Sequence, residues 1–175
     1  MIRKSIIERI KEYFMLNPTA KLRVRQIERE AKAALPSAIK SAQELEKQGM
    51  LKSTIISGVK FYSADRTSKH FMIEKKLFNI KQLYASGLID HIAQEYGNPT
   101  ISAFGSYARG EDVEDSDIDL YIETPKKDIN LEKFESKLKR KIQVFSYKKI
   151  SNVENKELAN NILNGITLNG FVEVF

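Results

Sequence analysis

The stretch "AFGSYARGEDVEDSDIDLYIE", residues 103–123, constrains the fold more than any other. An apolar run, Thr100–Phe104, leads into the small turn Gly105-Ser106. Seven of the thirteen residues from Glu111 to Glu123 are acidic, and the segment then alternates acid with apolar side chains. Alternation with period two marks a strand buried on one face, because successive strand side chains point to opposite sides. Asp117 and Asp119 therefore share one face, while Ile118, Leu120 and Ile122 face a core. Two neighbouring carboxylates repel unless a positive charge lies between them. A hard divalent cation, Mg²⁺ or Mn²⁺, suits them, because it takes oxygen ligands and keeps open positions for phosphate. Glycine at 105 lets backbone approach a ligand closely. N–H groups at the start of the turn Ser106–Arg109, with the Ser106 hydroxyl, can donate to phosphate. Together these features predict a site for a metal–nucleoside triphosphate complex, with ATP the first candidate. Glu111, Asp112, Glu114 and Asp115 read as a solvated loop.

The rest of the chain predicts two kinds of structure. Ile6, Ile7, Ile10, Tyr13 and Phe14 repeat at helical spacing, and Asn17-Pro18-Thr19 ends that helix. A second helix is expected over Val24–Ala33. A third starts at Pro36, runs through Ala38, Ala42 and Leu45, and stops before Gly49. Two β-rich runs around Ser57-Gly58 predict a hairpin. A longer helix over 68–86 carries Phe71, Ile73, Leu77, Ile80, Leu83 and Tyr84, and is expected to act as a connector or a homodimerisation element. Beyond Gly87 the pattern predicts a helix at Leu88–Tyr96 and strands at Thr100–Phe104 and Asp117–Glu123. A helix at Leu131–Lys139, a strand at Lys141–Phe145, a helix at Glu157–Leu163 and one or two short strands in "ITLNGFVEVF" complete the set. The expected class is α/β (α+β), with divisions at 1–66, 67–87 and 88–175.

Charge follows the same division. The net +6 comes from 14 Lys/Arg against 7 Asp/Glu in residues 1–67, and 15 against 16 in residues 68–175. A basic front half favours a nucleic-acid partner. No segment reaches 18 consecutive apolar residues, so no membrane span is expected. Charges interrupt the apolar positions of the first 14 residues, which is wrong for a signal peptide. There is no Cys, hence no disulfide or thiolate zinc site, and a cytoplasmic location is expected. His70 and His91 are expected at the surface.

Gly105-Ser106-Tyr107-Ala108-Arg109-Gly110 and Ser116-Asp117-Ile118-Asp119-Leu120 resemble the signature of the minimal nucleotidyltransferases of the DNA polymerase β superfamily, over roughly residues 88–147. The resemblance implies metal-dependent transfer of a nucleotide to an acceptor hydroxyl. It gives Gly105 and Ser106 to the phosphates, Arg109 either to the phosphates or to bracing the loop, and Asp117 and Asp119 to metal and catalysis. It also implies a toxin-like protein partner, since some members resemble those paired with small helical toxins. The family takes a third carboxylate from the next strand, where this chain has Lys141-Ile142-Gln143-Val144-Phe145. Gln143 stands where the Asp should be, and a Gln cannot act as a general base. Glu123, on the same face as the Asp pair, is the candidate replacement. Residues 1–66 separately resemble the winged-helix domains of bacterial and archaeal transcription regulators. That resemblance implies duplex DNA binding, with Ser37, Lys40 and Ser41 on the groove-facing helix. Two functions follow as expectations: a nucleotidyltransferase attached to a DNA-binding domain, or a DNA-binding regulator whose transferase domain senses nucleotide without chemistry.

Overall fold

The computed structural model describes residues 4–125 and 129–174. The chain divides into two compact units, Met1–Lys75 and Lys76–Phe175.

In the first unit, α1 (Ile6–Leu16) opens with a reciprocal cap: Ser5 Oγ accepts from the Glu8 amide, and the Glu8 carboxylate accepts from the Ser5 amide. Ile10, Phe14 and Met15 bury its inner face. α2 (Val24–Ala31) is shorter than expected, because Lys32 turns left-handed at φ 45° and ends it. α3 (Leu35–Lys47) carries Pro36 in its first turn and buries Ala38, Ala42 and Leu45. β2 (Leu51–Ile56) and β3 (Val59–Ala64) are antiparallel, joined by Ser57 and Gly58 at φ 49° and 75°. Positive φ at both loop residues is what a two-residue hairpin turn needs. A two-residue strand, β1 (Lys21–Leu22), extends the sheet in the order β1-β3-β2. It was not anticipated, since two residues carry no alternation to read.

α4 (Lys69–Ser86) contains the division between the units. Its apolar residues do not form one face: Phe71 and Leu83 are buried, while Ile73, Leu77 and Tyr84 are exposed. Polar Asn79 is buried as well.

In the second unit, α5 (Leu88–Tyr96) lies between left-handed Gly87 and Gly97. Then come β4 (Ile101–Phe104), α6 (Gly105–Arg109), β5 (Ile118–Glu123), α7 (Glu132–Leu138), β6 (Ile142–Tyr147), a 3₁₀ turn at Ile150–Asn152, α8 (Lys156–Leu163) and β7 (Ile166–Asn169). The sheet order is β6-β5-β4-β7. β5 and β6 are parallel and joined through α7, and the other pairings are antiparallel. Leu88, Ile92, Ile101, Ala103, Ile118, Leu120, Ile122 and Leu168 pack on one side of the sheet. Phe104 and Tyr121 lead the other side, with Ile150, Val153 and Ile162. Each fully buried Leu, Ile or Phe side chain among them contributes about 1.5–3 kcal/mol. Asp119 lies two residues before Tyr121, so the carboxylates belong to this second side.

Candidate functional site

The site begins where β4 ends. Phe104 is extended, and Gly105 starts α6 with φ 71°, a left-handed backbone that side chains rarely adopt. The reason for glycine lies across the sheet. A Cβ at 105 would collide with Oδ2 of Asp119 and stand 3.3 Å from its Cγ. Phe104 and Asp119 are direct partners in the β4–β5 register. The pairing therefore sets the Asp119 carboxylate against the Gly105 α-carbon, beside Ser106. The first N–H groups of such a turn have no carbonyl partner inside it.

Asp117 is exposed just before β5, and Asp119 is half-buried on it. Burial pushes the Asp119 carboxyl above its ordinary value. The charge of Asp117 pushes it the same way, and Arg109 pulls it back. The exposed Arg109 Nε donates to Glu111 Oε2 at 2.7 Å, so Arg109 is shared between its neighbour's charge and that of Asp119. The β5–β6 register pairs Asp119 with Gln143, whose side chain is exposed. Glu123 is engaged elsewhere: its Oε2 accepts from the Tyr121 hydroxyl at 2.9 Å, at the far end of β5. Tyr121 is fully buried between Asp119 and Glu123 in sequence. Among the described residues no group of three or more Asp, Glu or His is placed to hold a metal. Arg109 does not cancel the burial and repulsion that raise Asp119, and the donor set is two carboxylates, Asp117 and Asp119. These fit one divalent cation with positions left open for phosphate oxygens.

Residues 86–166 match the family model described as a nucleotidyltransferase domain. This stretch is therefore similar to nucleotidyltransferase domains. No curated protein matches the chain.

The loop of the second unit between Gly110 and Asp117 corrects one expectation. Asp112 does not belong to a solvated loop. It is 1% exposed, accepts from Asn79 Nδ2 at 2.7 Å, and pairs with Arg140 at 3.2 Å. Glu111 and Asp115 are exposed, and Glu114 is half-buried. Sequence offered no signal for this pair, because Asp112 and Arg140 are separated by the whole of β5 and α7. Tyr107 is also internal to the domain. Burial, then the charge of Asp112, drives its hydroxyl well above the ordinary tyrosine range. An open hollow of about 830 Å³ runs along β6 beside Leu131 and Glu135, and it includes none of the residues around Gly105.

In the first unit, Lys40 is exposed on α3, with Ser37 and Ser41 half-buried beside it. Arg25, Arg29 and Lys47 are exposed on α2 and α3. The hairpin's own cations are engaged: Lys60 with Glu46 at 3.0 Å, and Lys52 with Asp65 at 3.9 Å. The hairpin tip presents Ile55 and Ile56 to solvent. His70 lies 3.7 Å from Glu74, and the ring of His91 packs on Phe134 at 5.0 Å. Among the described residues no helix is long and apolar enough to cross a membrane.

Proposed function

We propose that the second unit binds a divalent-metal nucleoside triphosphate, ATP first among candidates, and transfers its nucleotide slowly to an acceptor hydroxyl. The observation that supports this is the Asp119 carboxylate lying against the Gly105 α-carbon, where one proposed metal carboxylate meets the start of the proposed phosphate cradle. Asp117 and Asp119 would hold Mg²⁺ or Mn²⁺. When bound, the cation would neutralise the carboxylates and the phosphates and draw charge from the phosphorus under attack. Ser106 Oγ and the first amides of α6 donate to phosphate oxygens. Arg109 supplies a positive charge at the rim. In transfer, the acceptor oxygen bonds the α-phosphorus, pyrophosphate leaves, and the hydroxyl proton passes to solvent water, which keeps the step slow. Gln143, beside Asp119, can donate a hydrogen bond to an acceptor or phosphate oxygen but cannot take that proton.

Gln143 thereby supports a second function: a domain that binds nucleotide as a signal and performs little chemistry. We further propose that the first unit is a winged helix-turn-helix that lays α3 against duplex DNA. Arg25, Arg29, Lys40 and Lys47 would then face phosphates, while Lys52 and Lys60 stay neutralised by their carboxylates.

One experiment separates these functions. Wild type, Asp117→Asn/Asp119→Asn and Gln143→Asp are tested for Mn²⁺-dependent binding of each ribonucleoside triphosphate, and for transfer of labelled nucleotide to protein or RNA. Wild type binds with slow transfer, and the double Asn variant binds nothing. Gln143→Asp restores the third carboxylate and quickens transfer. Brisk wild-type transfer that Gln143→Asp slows rules out the sensor. No binding by wild type rules out the site.

A further inference from the structure

The loop that joins the phosphate turn to the metal strand is clamped from inside the domain. Asn79 Nδ2 donates to the Tyr107 carbonyl at 2.8 Å and to Asp112 Oδ1 at 2.7 Å. Its own backbone carbonyl is the acceptor for the Tyr107 hydroxyl at 3.5 Å. From the other side the Arg140 fork reaches Asp112 Oδ2 at 3.2 Å with one nitrogen and the Val113 carbonyl with the other. Val113 in turn closes a small turn with Ser116: its amide donates to Ser116 Oγ at 2.9 Å, and its carbonyl accepts from the Ser116 amide at 3.1 Å. Ser106 directly precedes the clamped Tyr107. Asp117 directly follows the clamped Ser116. The Asp112–Arg140 pair is almost fully buried, with side chains 0% and 7% exposed.

A buried ion pair is a poor device for stability, because its desolvation often exceeds its attraction, and apolar residues of like volume serve the fold as well. What apolar residues cannot do is grip chosen backbone carbonyls. We infer that Asp112, Arg140 and Asn79 are positioning residues that set the separation of Ser106 from Asp117 and Asp119. They hold the phosphate donors and the metal carboxylates in register for one ligand. This rests on the nucleotide site proposed above. Arg suits the role better than Lys, because two acceptors at fixed spacing need a planar fork.

The test compares stability with binding in the full chain. Asp112→Leu/Arg140→Met removes both charges together and leaves no lone buried ion. Thermal unfolding should stay at or above wild type. Affinity for Mn²⁺–ATP, measured by titration calorimetry at a temperature where circular dichroism shows both proteins folded, should fall at least tenfold. Arg140→Lys is the second variant, with charge retained and the fork lost. It should weaken binding at least threefold while folding as wild type does. If wild type binds and both variants bind within twofold of it, the positioning role is wrong while the site stands. If wild type does not bind, both are wrong. Loss of binding only in step with loss of fold also overturns the positioning role.

Discussion

Replacing Gly105 with Ala tests the geometry on which the site depends. Two costs follow from the structure. A non-glycine residue at φ 71° costs about 1–2 kcal/mol in left-handed strain. The new methyl also collides with Asp119 Oδ2, which must leave its place by rotating off its preferred rotamer, at about 0.5–1.5 kcal/mol. The total is about 1.5–3.5 kcal/mol. Gly97→Ala is the matched control. It has φ 70° and no atom within 4 Å of its Cβ, so it incurs the strain alone. The two variants are compared by urea unfolding, and their Mn²⁺–ATP affinity by calorimetry. Gly105→Ala should be the less stable and lose at least tenfold in affinity, about 1.4 kcal/mol. Gly97→Ala should bind as wild type does. In an Asp119→Ala background the collision is absent, so Gly105→Ala should cost only the strain. Equal destabilisation by the two glycine changes, with binding retained in Gly105→Ala, would falsify the contact.

Two further outcomes follow. The Asp119 carboxyl is raised in the folded state by burial and by Asp117, so folding favours its protonated form. Stability from this group is complete below the unfolded carboxylate range, near about 4, and is lost as pH rises through the folded value. Asp119→Asn should therefore melt above wild type at neutral pH without metal, and the gap should close on acidification; a gap independent of pH would refute the assignment. On the first unit, Lys40→Glu should weaken duplex DNA binding, and wild-type affinity should fall steeply with salt as counterions are released. Wild-type binding that ignores salt would show that α3 does not face phosphates.

Local chemistry was legible in the sequence because it depends on neighbours along the chain. Ser57-Gly58 marked a turn that demands positive φ, Gly87 and Gly97 bounded α5, and the Asp117–Ile122 alternation named both faces of β5. The family resemblance puts Gln143 where a third carboxylate is expected, and the parallel β5–β6 register pairs 143 with 119. The fold alone decided the rest. Glu123 shares a face with Asp119, yet the Tyr121 hydroxyl holds it at the strand's far end. Asp112 looked like one more solvated acid, and the path of α4 and the start of β6 enclose it with Asn79 and Arg140. The exposed Ile73 and Leu77 and the buried Asn79 of α4 show the same limit. Periodicity tells which residues share a face, but which face is covered depends on contacts between residues distant in sequence. Burial and partner choice are set by those contacts, and burial is the first cause of the raised pKa of Asp119.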